Sequence, residues 1–115
     1  MGYVIASGQG ADTSVAAYGK SANLITGRNQ FLPKGRLQLF ARGSAIGTRL
    51  SLSVGGVSLV DDVTTPSIGT TGAMSTNDNG VIDQVVAGGV CEFYIRNTTV
   101  GALTCDYLIV FTPMK

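Results

Sequence analysis

The fold of this chain is decided near its end, in CEFYIRNTTVGALTCDYLIVFTPM, which runs from Cys91 to Met114. On either side of a break at 97–101, apolar residues occupy every second position. Side chains on a β-strand point to opposite faces in turn, so this pattern predicts two strands, each with one buried face. Pro113 cannot donate a backbone hydrogen bond to a neighbouring strand and ends the second one. We therefore predict a terminal β-hairpin with a tight connection.

Similar strand signals recur along the rest of the chain. Gly55 and Gly56 separate two alternating segments and predict a two-residue hairpin turn, because glycine tolerates positive φ angles there. No window has the three- and four-residue apolar spacing of an amphipathic helix. The predicted strands span 3–6, 36–42, 48–54, 57–60, 81–86, 90–96 and 103–112, with a weaker signal at 15–18.

Together these segments predict a single all-β domain over residues 1–115 with about 7–8 short strands, the pattern of a β-sandwich or barrel. Two turn-rich stretches, 7–22 and 61–80, are predicted to form its long loops. Phe40 and Arg42 share a strand face with Gln38, and we expect that face to be covered by a loop or a neighbouring molecule. The residues expected to form the core are Leu37, Leu39, Leu50, Leu52, Phe93, Ile95, Ile109 and Phe111.

Charged residues make up 13% of the sequence, and the net charge is +1. This charge is too small to favour nucleic acid as a partner, because several neutralised phosphates supply the affinity of such complexes. Residues 1–60 contain six basic residues and one acidic one, a net +5, whereas residues 61–115 contain two basic and six acidic ones, a net −4. Either the halves pair their charges internally, or a basic edge and an acidic edge let copies meet head to tail. The candidate interface residues of the second alternative are Arg28, Arg36, Asp61 and Asp62.

The chain contains no histidine, the commonest general base and metal ligand, so a Ser–His or Cys–His nucleophile pair cannot form. We therefore predict that the protein is not an enzyme and binds no cofactor. Cys91 and Cys105 both fall on apolar faces of the predicted terminal strands, where they could lie near one another. Two buried, reduced and unmetallated thiols are predicted in preference to a disulfide or a metal site.

The N-terminal sequence MGYVIA lacks the basic region of a secretion signal, so we expect the protein to be made and used without secretion. Apolar runs are far shorter than the roughly 18 residues of a membrane-spanning helix, so no membrane partner is expected. The triplet Asn97-Thr98-Thr99 matches the N-glycosylation pattern, and we interpret it as a turn.

Six segments of the chain carry a resemblance to known proteins: Ser21–Gly27, Arg36–Arg42, Gly47-Thr48, Val54-Gly55-Gly56, Arg96–Thr99 and Phe111–Pro113. Their layout resembles that of small virion structural proteins with a single jelly-roll or related β-sandwich domain, especially the decoration (cement) proteins of tailed-phage capsids. The fold that this resemblance implies is a single β-sandwich of jelly-roll type, with about 7–8 antiparallel strands.

The resemblance implies a non-enzymatic role in many symmetric copies on a virion that assembles in the host cytoplasm. The implied partners are other copies of the chain, often as a homotrimer, and a major capsid protein. Residues 1–19 contain no Lys or Arg, whereas coat proteins that enclose a genome often carry a basic N-terminal arm. The alternatives are a main coat protein, a tail or spike component, or a small module that binds carbohydrates or host surfaces.

Overall fold

The computed structural model describes residues 2–8, 14–25, 27–65 and 80–114, with the backbone alone at 28 and 29. In that part of the chain, strands form two antiparallel sheets and a short 3-10 helix spans Gly27–Gln30. Most of the predicted loop at 61–80 lies outside the described residues. The strands are β1 (Tyr3–Gly8), β2 (Ser14–Val15), β3 (Phe31–Leu32), β4 (Gly35–Gly43), β5 (Thr48–Val54), β6 (Val57–Thr64), β7 (Gly80–Val86), β8 (Gly89–Asn97) and β9 (Leu103–Pro113).

Sheet A has the strand order β1-β9-β4-β7, with the short β2 also paired to β9, and sheet B has the order β3-β8-β5-β6. Apart from β2, the strands form nested pairs: β5 with β6, β4 with β7, β3 with β8, and β1 with β9. The chain is therefore one long antiparallel ribbon, rolled so that successive pairs fall alternately in sheet B and sheet A. This is the eight-stranded jelly roll, and the predicted all-β sandwich is confirmed.

The bend of this ribbon is the turn at Gly55 and Gly56. Their φ angles are +61° and +83°, which only glycine adopts at little cost and which match the twist of the flanking strands. The predicted β5–β6 hairpin is thus confirmed. Strand β6 is longer than predicted, because a bulge carries it past Asp61 and Asp62, two residues that the sequence pattern assigned to a turn.

The predicted terminal hairpin is wrong. Strand β8 pairs with β5 in sheet B, whereas β9 pairs with β4 and β1 in sheet A, so the connection at 98–102 crosses from one sheet to the other. Alternation along a strand shows which face is buried but not which strand is its neighbour. Two strands that face one core from opposite sheets have the same pattern as a hairpin.

The core lies between the inner faces of the two sheets. The rings of Phe93 in β8 and Tyr107 in β9 meet there with their centroids 5.3 Å apart. All eight residues predicted for the core are at most 1% exposed: Leu37, Leu39, Leu50, Leu52, Phe93, Ile95, Ile109 and Phe111.

Candidate interaction surfaces

Two arginines of β4 form ion pairs with aspartates from the second half of the chain. Arg36 bonds to Asp83 at the exposed edge of sheet A, where its guanidinium lowers the pKa of that carboxyl. Arg42 Nε lies 3.0 Å from Asp106 Oδ2, and both side chains are at most 5% exposed. Arg42 and Phe40 point away from the core but are buried within this chain, as expected for a covered face.

Asp62 joins two further arginines on the outer face of sheet B. Arg96 donates from Nε and Nη2 to the two carboxylate oxygens at 3.1 and 2.6 Å, and Arg49 Nε lies 3.2 Å from Oδ2. These contacts, led by the hydrogen bonds from Arg96, lower the pKa of Asp62. A φ of +51°, unusual outside glycine, turns Asp62 between the two guanidinium groups. The bulge in β6 therefore serves an internal ion-pair cluster.

The four predicted interface residues are not brought together into one patch. Arg36 and Asp62 are engaged in ion pairs within the chain, and Asp61 is exposed beside Asp62. Arg28 lies in the 3-10 helix, and its side chain is outside the described part. Three of the six basic residues of the first half, Arg36, Arg42 and Arg49, form ion pairs with aspartates of the second half. The interface role of the four predicted residues stays a prediction.

The two cysteines are free and fully buried, in different sheets. Cys91 lies opposite Val54 in sheet B, and Cys105 lies opposite Gly43 in sheet A. Burial away from water raises the pKa of each thiol to about 11. Both thiols are therefore protonated near neutral pH and behave as small apolar side chains.

These thiols give a pH prediction. We expect the free energy of unfolding to fall as the pH rises from about 9 to about 11, because unfolded thiols lose protons from pKa 9.0 while folded ones keep them until about 11. Denaturant unfolding measured across this range should show the fall in the wild type. A variant with Cys91→Ala and Cys105→Ala should lack the part of this fall in stability that comes from ionisation of the thiols. A denaturant midpoint that falls when a reducing agent is added would contradict the prediction that both cysteines are reduced in the native protein.

One end of the sandwich carries large apolar side chains on its loops. Tyr18, Ile46 and Val100 are 68%, 75% and 82% exposed, among the highest values for apolar side chains in the described part of the chain. We call this group the apolar tip. The loops that bear it, 16–19, 44–47 and 98–102, contain no charged residue.

Hydrogen bonds hold these loops together. The Tyr18 amide donates to the Thr99 carbonyl at 3.1 Å, and the Thr98 amide and hydroxyl donate to the Gly47 carbonyl at 2.9 and 2.8 Å. Gly47 has a φ of +136°, and a Cβ there would collide with the Thr99 side chain. The apolar tip is therefore presented by loops with a fixed relative position.

The side chain of Asn97 links the tip loop 98–102 to strand β2 by hydrogen bonds. Its side chain is 1% exposed and donates to the carbonyls of Val15 and Gly101 at 3.0 and 2.8 Å, while Oδ1 accepts from the Thr99 amide at 2.9 Å. A hydrogen bond donated by a backbone amide to the side-chain oxygen of an Asn two residues earlier defines an Asx turn, so the predicted turn is confirmed at this triplet.

The opposite end of the sandwich carries a cavity of about 160 Å³ between the β5–β6 turn and the end of β7. Val57 lies across from Val54 and so points toward the core side of sheet B, yet it is 62% exposed because β6 is an edge strand. Val85 is 53% exposed on the other side. We call this cavity the apolar groove, and its apolar lining consists of Val54, Val57, Leu59, Val85, Val86 and Ala87.

In comparisons with protein-family models, with curated proteins and with solved structures, nothing matches this chain. Within the described ranges, no helix is long and apolar enough to cross a membrane. The same residues contain no group of three or more His, Cys, Asp or Glu side chains placed to hold a metal ion. The surfaces must therefore be interpreted from their own geometry.

The sequence reasoning missed both apolar ends. A signal for the tip was present, because each of its residues is a lone large apolar side chain followed directly by glycine in a turn: Tyr18-Gly19, Ile46-Gly47 and Val100-Gly101. An apolar residue at such a position has no strand face on which to be buried. No comparable signal marks the groove, because its lining comes from strands that pack in different sheets.

Proposed function

We propose that this chain is a non-enzymatic virion structural protein, a capsid decoration protein that stabilises a viral shell. The observation that carries the proposal is the nested strand pairing of an eight-stranded jelly roll, an architecture that viral capsid domains use. The same fold also serves lectins and cupins, so fold alone does not decide the function. The surface supplies the rest of the argument.

The distribution of charge supports contact with other proteins in many copies. The ion pairs of Arg36, Arg42 and Arg49 neutralise three of the six basic residues of the first half within one copy. The two ends of the sandwich present uncharged apolar side chains instead, which can be covered by a partner without desolvating a charge. Within the described residues, the edge strands are β1 and β7 in sheet A and β3 and β6 in sheet B, and backbone groups along such edges are best protected in an assembly.

The solution mass and morphology of the purified protein test this proposal. We expect a closed oligomer with three times the chain mass of 11.8 kDa, and no shells in electron micrographs of the protein alone. Closed shells formed by this chain alone would identify a main coat protein instead. A monomer at every concentration, measured by sedimentation, would contradict a role in many symmetric copies.

A second candidate function, carbohydrate binding, is favoured by one feature of the outer face of sheet B. A shallow depression of about 170 Å³ is lined by three serines, by Glu92 and Tyr94, and by two apolar residues, Leu52 and Val60; the serines are Ser51, Ser53 and Ser58. Hydroxyl, carboxylate and ring groups are those that bind sugars. The Lys20 ammonium, however, lies 4.4 Å from the centroid of the Tyr94 ring and covers one of its faces. Binding of a monomeric protein to a glycan array would support this candidate and overturn the capsid role.

A further inference from the structure

The apolar tip and the apolar groove are complementary in shape and chemistry. The tip presents exposed apolar side chains on loops without charge, and the groove is concave, with Gln84 as the most polar side chain in its lining. A cavity of about 150 Å³ holds a group as large as benzene, so the groove can accept a branched side chain such as that of Ile46. Each surface is thus suited to the other.

The two surfaces lie at opposite ends of one copy. Strand β5 starts at Thr48, directly after the tip loop, and ends at Val54, in the lining of the groove. At about 3.4 Å per residue, the strand separates the surfaces by roughly 20 Å. The tip of a molecule therefore cannot fill its own groove, and the groove that it meets must belong to a second copy.

The backbone conformation of the tip loops is also fixed in a single copy, without a partner. Tyr18 has a φ of +54°, a conformation that is strained for a bulky residue, and it keeps its ring 68% exposed. The bonds from Thr98 and Asn97 fix the other two loops. Loops whose backbones are ordered in advance lose little entropy when their side chains are bound, which favours such side chains as interface anchors.

We propose that copies of this chain associate head to tail, with the apolar tip of one copy in the apolar groove of the next. Such a contact uses different surfaces on its two sides and continues until the assembly closes into a ring or extends as a filament. Burial of the three tip side chains removes roughly 300–400 Å² per copy, about half of the ~800 Å² that a stable pair buries on each side. An isolated pair is therefore weak, and a closed ring, in which every copy uses both ends, is stable.

The inference adds to the proposed function a specific contact between copies, but it rests on the geometry of the two ends. Its test uses the isolated chain and no viral shell. A wild type that is monomeric at every concentration would contradict both proposals, whereas oligomers that persist after both the tip and the groove are substituted would overturn this inference alone. Conversely, a chain that associates head to tail without ever binding a particle would refute the virion role alone.

The test combines a variant with a blocked tip and a variant with a blocked groove. Ile46→Lys should keep a working groove, and Val57→Lys should keep a working tip. Each alone is expected to remain monomeric in sedimentation experiments, with self-association weakened at least about tenfold. Their equimolar mixture at high concentration should form dimers and nothing larger, because only one tip and one groove remain to pair.

Matched controls make each outcome decisive. Val4→Lys places the same charge on a side chain that is 52% exposed on β1, away from both ends, and should associate like the wild type. Val100→Lys and Val85→Lys repeat the test at each end, and circular dichroism checks that all variants fold. A Val57→Lys variant that still dimerises would indicate tip-to-tip contact. A mixture that stays monomeric while the wild type associates would also overturn the proposal.

Discussion

Replacing Phe93 with alanine is expected to lower the free energy of unfolding by about 3–5 kcal/mol. Phe93 is fully buried in β8, and its ring packs against Tyr107 from the opposite sheet. Truncation removes apolar surface from the core and leaves a cavity between two sheets that cannot close over it without moving strands. Denaturant unfolding, followed by circular dichroism, measures the loss.

Phe31→Ala is the matched control for this prediction. Phe31 is 68% exposed at the edge of sheet B, so its truncation should change stability by no more than about 0.5 kcal/mol. Phe111→Ala, at a site with no exposure in β9, should resemble Phe93→Ala. Equal effects of the buried and the exposed substitutions would show that the core is not where the two sheets place it.

Asp106→Ala is expected to be about as damaging, at about 3–5 kcal/mol, because it leaves the Arg42 guanidinium buried without its carboxylate. Both side chains of the pair are at most 5% exposed, so water cannot replace the lost partner. Thermal or denaturant unfolding at neutral pH measures the effect.

Asp83→Ala provides the comparison within the same sheet. Asp83 also pairs with an arginine of β4, but its side chain is 45% exposed and that of Arg36 is 51% exposed. Water and salt already weaken this pair, so its loss should have only a small effect on stability. A double variant, Arg42→Met with Asp106→Leu, should recover much of the loss of Asp106→Ala, since it removes the buried guanidinium together with the buried carboxylate. If both aspartate substitutions had similarly small effects, the burial of the Arg42 pair would be contradicted.

The sequence by itself determined the strands and their buried faces. The alternation in 36–42 predicted β4 to within a residue at each end, and the two glycines predicted the β5–β6 turn. These features are local, because the direction of a side chain on a strand depends only on its position along that strand. The absence of histidine and the low fraction of charged residues are likewise visible in the sequence.

Only the tertiary structure decided which strands are neighbours and which surfaces result. The alternating pattern of β8 and β9 is compatible with a hairpin and also with two strands in facing sheets. The structure has the second arrangement, because each strand pairs with an earlier one in the ribbon that folds back at Gly55-Gly56: β8 with β5 and β3, and β9 with β4 and β1. The same rolling brings the loops at 18, 46 and 100 together at one end and β6 near β7 at the other. Contacts between residues this far apart in the chain depend on which strands of the ribbon pair in each sheet. A local sequence pattern carries no information about that pairing.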